Sequence, residues 1–175
     1  MRLFVSIDFP ESILKTIQSW IPEQAGWKKT SLHQMHLTLV FLGDCSAQEK
    51  DEIHKILSEI EFTPFDMVIE GLGAFPNESA PRIIWAGVQH CEELINLQQS
   101  ISDSLKDYIK SKHSDSYIPH ITLARKKSNK GINYDLKQML RKETEKLVVE
   151  VESFQLKQSI LKSSGSEHIV LLSYS

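Results

Sequence analysis

The chain has 175 residues, of which 41% are hydrophobic and 25% are charged, a composition ordinary for a globular protein that buries its own core. Its net charge of −3 excludes a surface that grips long nucleic acid through many phosphates, so any such contact would have to be local. Because the sequence has no long apolar stretch, we expect no signal peptide and no membrane-spanning segment. The expected location is the cytoplasm. Cys45 and Cys91 match no metal or redox spacing and are predicted to be reduced thiols.

The first part of the chain alternates between strand and helix patterns. Residues 2–8 predict an opening strand, and Pro10 suits the first turn of the helix that follows. The apolar run at residues 35–42 predicts a strong second strand. Ser46 and Glu49 have the spacing of a capping box, which predicts the start of a second amphipathic helix.

The rest of the chain continues the alternation. A strand is predicted near residues 66–72, and the glycine-rich stretch 71–77 is predicted to lead out of it into a loop. The later elements are predicted to be a strand at 82–88, a helix at 92–110, a strand at 118–124, a lysine-rich loop at 126–130, a helix at 134–145, and strands at 147–158 and 168–174.

An internal repeat relates the two halves of the chain. The segment His36-Leu-Thr38-Leu lies in the first half, and His120-Ile-Thr122-Leu occupies the matching place in the second. Duplication of one unit explains both segments and predicts an α+β protein, with residues 1–175 forming a single domain of two pseudo-symmetric lobes. The two equivalent strands are predicted to face each other across a cleft.

The repeated motif indicates phosphodiester chemistry. Residues i and i+2 of a strand point to the same face, so His36 and Thr38 share one face, as do His120 and Thr122. The unperturbed pKa of an imidazole is about 6.5, so near neutral pH one ring can be neutral and the other protonated. The neutral ring can take a proton from water while the protonated ring gives one to a leaving alkoxide. The hydroxyls can stabilise charge on the phosphate oxygens, which predicts a site that needs no metal.

A metal site is the main competing interpretation of these histidines. His33 and His36 are three residues apart, but threonine is a poor ligand and the nearby acidic residues form no ligand cluster. The remaining histidines show no partner pattern, and surface exposure is expected for His54; the others are His90, His113 and His168. No nucleotide-binding glycine loop or serine-nucleophile motif is present, so neither ATP nor any other cofactor is predicted.

Several residues near the motifs are candidates for substrate contacts. Arg125 ends the second motif strand, and Arg125 and Lys126 are predicted to hold RNA phosphates, with a solvated basic loop as the alternative for the lysines there, Lys127 and Lys130 included. Phe41 is a candidate for stacking on a base. Packing in the core or a loop is the alternative for Phe41 and for Phe75, while Trp85 is expected in the core.

The residues that carry these motifs also resemble a known family, the two-histidine (2H) phosphoesterases, and within it the RNA 2',3'-cyclic phosphodiesterases, also called the 2'-5' RNA ligase family. The resemblance extends over nearly the whole chain. It rests on the segments MRLFVSIDFP (1–10), HLTLVFLG (36–43), GLGAFPN (71–77), PRIIWAGV (81–88) and PHITLAR (119–125), and more weakly on QSIL (158–161).

The resemblance implies a bilobal, LigT-like α+β fold with antiparallel sheets lining a central cleft. It implies hydrolysis of an RNA 2',3'-cyclic phosphate to a 2'-phosphate, with His36 as proton donor and His120 as proton acceptor. Thr38 and Thr122 would then hold the phosphate oxygens. The partners implied are RNA ends or small cyclic-phosphate nucleotides, with no metal, no membrane and a monomeric protein.

Three departures from the family pattern and three alternatives accompany this interpretation. The segment before the first motif, residues 30–35, is looser than the family's usual form. Ile121 replaces a usual leucine on the core face, and His168 replaces a more usual aromatic residue near the C-terminus. The same site could act as an ATP-independent 2'-5' RNA ligase, or as a phosphodiesterase for another small cyclic or 2'-5' nucleotide. The third alternative is a non-catalytic module that binds RNA ends.

Overall fold

The computed structural model describes residues 1–23, 25–110, 116–127, 136–163 and 165–175. These residues form nine strands: β1 (Arg2–Ile7), β2 (Trp27–Lys29), β3 (Leu37–Asp44), β4 (Phe65–Phe75), β5 (Ile83–Val88), β6 (His120–Lys126), β7 (Leu147–Val151), β8 (Phe154–Lys162) and β9 (Gly165–Tyr174). The helices are α1 (Glu11–Ser19), α2 (Ala47–Ser58), α3 (Glu92–Ser104) and α4 (Leu136–Leu140), with short 3-10 turns at Leu32–Gln34 and Lys106–Tyr108.

The strands form one antiparallel sheet that consists of two halves. Its order is β7-β4-β5-β6-β3-β1-β8-β9, and β2 pairs with the outer part of β6. The halves meet at β3 and β6, where a single residue pair, Leu37 opposite Ile121, joins them. Both of these side chains are fully buried, so they face the core.

Each half of the sheet is built in the same way from both parts of the chain. β1 pairs with β3, and β5 pairs with β6, as expected for equivalent units. A later strand from each part of the chain pairs with the other part. β4, from the first part, lies beside β5, and β8, from the second part, lies beside β1. The predicted α+β class with antiparallel sheets is confirmed, while the division into one domain of two related lobes stays a prediction.

The helices pack by the apolar faces that their sequences predict. α1 buries Leu14 and Ile17, and α3 buries an equivalent stripe of leucine and isoleucine. The capping box of α2 is confirmed: the amide of Glu49 donates to the Ser46 hydroxyl at 3.1 Å, and the Ser46 amide donates to the Glu49 carboxylate at 2.6 Å. No helix among the described residues has the length and apolarity needed to cross a membrane. The cytoplasmic location and the monomeric state stay predictions.

The prediction that residues 71–77 lead out of the strand into a loop is wrong for residues 71–75. β4 continues to Phe75, because Gly71 adopts a φ of 81° at a break in the register with β5 and the strand then resumes. Gly73 lies opposite Trp85, whose ring occupies the space that a Cβ at residue 73 would need. The glycines therefore belong to the strand and allow a tryptophan to lie across it.

Other boundaries differ from the predictions for local reasons. The helix predicted at 92–110 ends at Ser104 and gives way to a 3-10 turn, and the strand predicted at 147–158 is two strands, β7 and β8. The predicted lysine-rich loop begins later, because Lys126 is the last residue of β6. Residues 128–130 and the first two residues of the helix predicted at 134–145 lie outside the described residues; its described part, α4, ends at Leu140. β2 was not predicted, since three residues carry too little periodicity to indicate a strand.

Candidate active site

The two His-x-Thr motifs lie side by side where β3 meets β6. His36 immediately precedes β3 and His120 begins β6, and the pairing of Leu37 with Ile121 brings the motifs into register. All four polar side chains of the motifs line one cleft with a volume of about 340 Å³. The structure therefore brings together the two imidazoles and two hydroxyls that the sequence places in separate halves.

The two motif histidines have the same local hydrogen bond. Nδ1 of His36 lies 2.8 Å from the carbonyl oxygen of Gln34, and Nδ1 of His120 lies 2.8 Å from that of Ile118. A carbonyl can only accept, so in each ring Nδ1 carries the hydrogen and donates it. The second nitrogen, Nε2, is left for a ligand, and in His36 it lies 3.1 Å from the hydroxyl of Thr38.

Aromatic rings support both imidazoles. The ring of Phe4 lies 4.9 Å from that of His36, and Phe75 meets His120 edge-on at 4.9 Å. The half-buried ring of Trp85 is 6.1 Å from His120 and packs against Phe75. These ring contacts limit the rotation of each imidazole, and general acid–base catalysis requires a well-positioned group.

Burial makes both imidazoles of the cleft poor bases. Desolvation, followed by the charges of His168 and Lys157, lowers the pKa of His36 to about 3. Desolvation is also the main cause that lowers the pKa of His120. Both rings are therefore neutral near pH 7 until a negative charge enters the cleft.

A β-bulge directs Arg125 into the same cleft. Trp85 lies opposite Thr122 and the preceding residue of β5 lies opposite Ala124, so that Leu123 is an extra residue in β6. Both bulged residues, Leu123 and Ala124, are buried, and the alternation resumes with Arg125 on the side of His120. Without the bulge, strict alternation would turn Arg125 away from the second His-x-Thr motif.

A matching bulge follows the first motif. Ser6 lies opposite Thr38 and Val5 lies opposite Val40, which leaves Leu39 as the extra residue. Phe41 emerges beyond this bulge at the position equivalent to Arg125. It lines a second cavity of about 650 Å³, and the Arg2 guanidinium lies 5.0 Å from the centre of its ring.

The two cavities differ in chemical character and meet at the motifs. The first, which we name the basic cleft, contains both threonines and the cations Lys28, Lys29 and Arg125; no carboxylate is among its described lining residues. The second, which we name the apolar groove, is lined by aliphatic and aromatic side chains with some amides and hydroxyls, and no charged side chain is found among its described lining residues. Thr38 and His120 line both.

The other residues considered in the sequence analysis do not all lie at the two cavities. Phe75 lines the apolar groove, whereas Lys126 lies opposite Trp27 and is not among the residues described as lining either cavity. His54 is partly buried, with Nδ1 3.1 Å from the Tyr174 hydroxyl, so the expectation of surface exposure was wrong. Lys130 and His113 lie outside the described residues.

Comparison with known proteins bears on the identity of this site. The family model for the 2'-5' RNA ligase superfamily matches residues 9–159. The chain belongs to this superfamily. A relative from Archaeoglobus fulgidus named RNA 2',3'-cyclic phosphodiesterase is 35% identical over 170 residues, which cover 94% of each chain. A relative of the same name from Aeropyrum pernix is 37% identical over 133 residues, or 74% of this chain and 75% of its own.

Solved structures agree with this membership of the 2'-5' RNA ligase superfamily. The crystal structure of a protein from Thermus thermophilus aligns over 100% of this chain and 97% of its own, with a TM-score of 0.82 and 29% identity. The crystal structure of Escherichia coli LigT complexed with 3'-AMP aligns over 98% of this chain and 95% of its own with a TM-score of 0.81. At 24% identity the latter shows a common fold.

This superfamily member has site residues that sequence reasoning missed. The ring of His168 meets that of His36 edge-on at 4.9 Å and lines the basic cleft, although its sequence context shows no partner. Lys28 enters the cleft through β2. The only signal for His168 was its replacement of a more usual aromatic residue, and Lys28 had none because the pairing of β2 with β6 is long-range.

The described residues contain no group of three or more histidine, cysteine, aspartate or glutamate side chains arranged to hold a metal ion. The buried Lys157 forms an ion pair with the more exposed Asp8 close to the site, and Lys157 lies opposite Phe4 in the sheet. Cys45 and Cys91 are both free thiols, as predicted.

Proposed function

We propose that the protein is an enzyme that hydrolyses 2',3'-cyclic phosphodiesters at RNA ends to 2'-phosphomonoesters, with His36 and His120 as acid and base and without a metal ion. The observation that carries this proposal is the pair of imidazoles, each with Nδ1 held by a backbone carbonyl, in one cleft with two threonines. The names of the relatives at 35% and 37% identity support the substrate.

The proposed reaction is a single displacement at phosphorus. Nε2 of His120 takes a proton from a water molecule whose oxygen attacks the phosphorus atom. The bond between phosphorus and the ribose 3'-oxygen breaks, and Nε2 of His36 gives its proton to that oxygen. Thr38 and Thr122 donate hydrogen bonds to the non-bridging oxygens, where negative charge increases in the transition state.

The substrate itself supplies the charge that this division of roles requires. Burial lowers the pKa of both rings, so each is neutral near pH 7. A bound phosphate anion favours the charged form of a neighbouring imidazole and so raises its pKa. One ring can then carry a proton as the acid while the other stays neutral as the base, and the family resemblance assigns His36 as the acid.

The two cavities suit different parts of an RNA end. The apolar groove, with Phe41 and Phe75, can receive a nucleobase, since aromatic rings stack on any base with about 1–3 kcal/mol per base. Arg125 in the basic cleft can bind phosphate oxygens. Lys126, the last residue of β6, adds positive charge next to Arg125 in the chain.

The test is hydrolysis of a short RNA that ends in a 2',3'-cyclic phosphate. We expect conversion to a 2'-phosphate in the presence of EDTA, and a loss of kcat by about 10²–10⁴-fold in His36→Ala and in His120→Ala. His90→Ala is the control, because His90 is exposed and lines neither cavity. Unchanged hydrolysis in both motif variants, or activity that EDTA abolishes and zinc restores, would overturn the proposal.

A ligase function is favoured by one observation, the description of the matching family as a 2'-5' RNA ligase superfamily. A ribose 5'-hydroxyl would replace water as the nucleophile at the same phosphorus. Incubating RNA with cyclic-phosphate ends and RNA with 5'-hydroxyl ends, and then sizing the products, separates the two reactions. Tight binding of either RNA with no new product would instead indicate a non-catalytic module.

A further inference from the structure

The bulges that follow the two motifs are held in different ways. In β6 the carbonyl of Leu123, the extra residue of that bulge, accepts a hydrogen bond from the backbone amide of Thr30 at 2.8 Å. In β3 the equivalent carbonyl, that of Leu39, accepts a hydrogen bond at 3.4 Å from the side-chain amide of Gln98, which lies on α3. Side chains from distant parts of the chain therefore help to hold the backbone that follows the first motif.

Tyr117 is a second side chain that holds this backbone. Its hydroxyl donates a hydrogen bond to the carbonyl oxygen of Thr38 at 3.1 Å. The next residue in the chain, Ile118, supplies the carbonyl that accepts the hydrogen of Nδ1 in His120. Two consecutive residues before β6 thus hold one residue of each motif, although the motifs lie in different halves of the chain.

The hydrogen bond from Tyr117 affects the placement of the Thr38 side chain. A peptide unit is planar, so a fixed carbonyl fixes the whole unit that follows Thr38 and the backbone from which its side chain projects. The Thr38 hydroxyl lies 3.1 Å from Nε2 of His36, and Thr38 lines both cavities. Rotation of this peptide unit would move the hydroxyl relative to His36 and to the phosphate oxygen that it is proposed to hold.

The chemistry of the Tyr117 side chain suits a group that donates a hydrogen bond and does not titrate. Burial raises the pKa of this phenol above its usual range, so the hydroxyl keeps its hydrogen at neutral and moderately alkaline pH. The ring packs against the core and lines the apolar groove. A phenylalanine at this position would keep the apolar packing and lose only the hydroxyl.

We infer that Tyr117 is a positioning residue for the reaction, which acts through Thr38 by orienting its hydroxyl toward the cyclic phosphate and His36. Tyr117 takes no part in proton transfer. The inference rests on the proposed function, because that function assigns Thr38 to a non-bridging oxygen of the cyclic phosphate.

The first experiment is Tyr117→Phe, assayed on a short RNA that ends in a 2',3'-cyclic phosphate. We expect kcat to fall about tenfold, since a small misplacement of a catalytic group costs up to about 10²-fold. KM should stay close to the native value, because the ring still lines the apolar groove. The fall in kcat should be the same at about pH 6 and about pH 8, because a hydroxyl that stays protonated adds no ionisation to the profile.

Tyr108→Phe is the matched control. It also removes one phenolic hydroxyl, which donates to the Glu52 carboxylate at 2.9 Å, and Tyr108 is not among the residues described as lining either cavity. This variant should keep the native kcat. An equal fall of kcat in the two phenylalanine variants would overturn the inference, and so would a native kcat in Tyr117→Phe.

A double-mutant cycle tests whether Tyr117 acts through Thr38. In a Thr38→Ala background the hydroxyl to be oriented is gone, so Tyr117→Phe should have little further effect on kcat. In a Thr122→Ala background its cost of about tenfold should persist. Equal costs in both backgrounds, or a cost that changes with pH, would overturn the inference. Failure of the proposed function has a different signature, since the native protein would then hydrolyse no cyclic-phosphate RNA, and the positioning role would fall with it.

Discussion

Each motif imidazole is anchored at Nδ1 by the carbonyl two residues before it, so that Nε2 faces the cleft. The anchoring is local and follows from the extended backbone around the motif, which explains why it occurs twice. The pKa values have another origin, because burial by distant parts of the chain lowers them. Around His36 the charges of His168 and then of Lys157 lower the pKa further.

The lowered pKa of His36 has a consequence for stability. In the unfolded chain the ring titrates near about 6.5, whereas the folded pKa is about 3, so the unfolded state binds more protons between these values. The free energy of unfolding should therefore fall as the pH decreases from 7 to 5, and His36 should account for up to about 1.4 kcal/mol per pH unit of this fall.

The comparison is His36→Asn, in which the side-chain amide can still donate to the carbonyl of Gln34 but does not titrate. Urea unfolding at pH 7 and pH 5 measures the loss in both proteins. His120 and His168 titrate in both, so the difference isolates His36. An identical loss of stability in the two proteins would contradict the burial of a neutral imidazole.

At the scale of elements, bulges and glycines decide where side chains point. The motif strands β3 and β6 each contain an extra leucine after the threonine, and Phe41 and Arg125 reach the two cavities because of it. Alternation in the sequence would have placed both residues on the opposite face. In β4, Gly73 allows the Trp85 ring to lie across the strand and to support His120.

Gly73→Ala tests the role of this glycine. A Cβ at this position would overlap the Trp85 ring, so the free energy of unfolding should decrease by about 1–3 kcal/mol. In a Trp85→Phe background the smaller ring leaves more room, and the cost of Gly73→Ala should shrink. Chemical unfolding of the four proteins measures this coupling. Equal costs in both backgrounds would show that the two residues do not interact.

At the scale of the whole molecule, the site depends on how the two halves of the sheet meet. Only Leu37 and Ile121 pair across the junction in the described sheet, and the histidines of the two motifs directly precede them. The distance between the two imidazoles is therefore set by the packing of this pair. The basic cleft and the apolar groove lie beside the same junction and share Thr38 and His120.

Leu37→Ala should separate stability from catalysis when it is compared with Leu57→Ala. Both leucines are fully buried, and each variant should lose about 2–5 kcal/mol of unfolding free energy. Leu57 lies in α2, away from the junction, whereas Leu37 adjoins His36. A small misplacement of a catalytic group costs up to about 10²-fold, so kcat on a cyclic-phosphate RNA should fall further in Leu37→Ala. Equal kcat values, measured where both variants are folded, would contradict this role.

The sequence by itself determined the α+β class, most of the strands and helices, the capping box of α2 and the two His-x-Thr motifs. These features depend on contacts that are local in the chain: a period of two or 3.6 residues, a cap three residues from its partner, and a motif within one strand. The extension of β4 through Gly71 and Gly73 was missed, because glycines indicate a turn unless a partner strand is known.

Only the tertiary structure decided which residues surround the motifs and how they are charged. The bulges of β3 and β6 exist relative to partner strands, and they bring Phe41 and Arg125 into the cavities. Lys28 and His168 reach the basic cleft from β2 and β9, through pairings that no local pattern encodes. The physical reason is that burial, register and charge proximity depend on residues far apart in the chain, whereas each His-x-Thr motif is defined by residues that are neighbours in the chain.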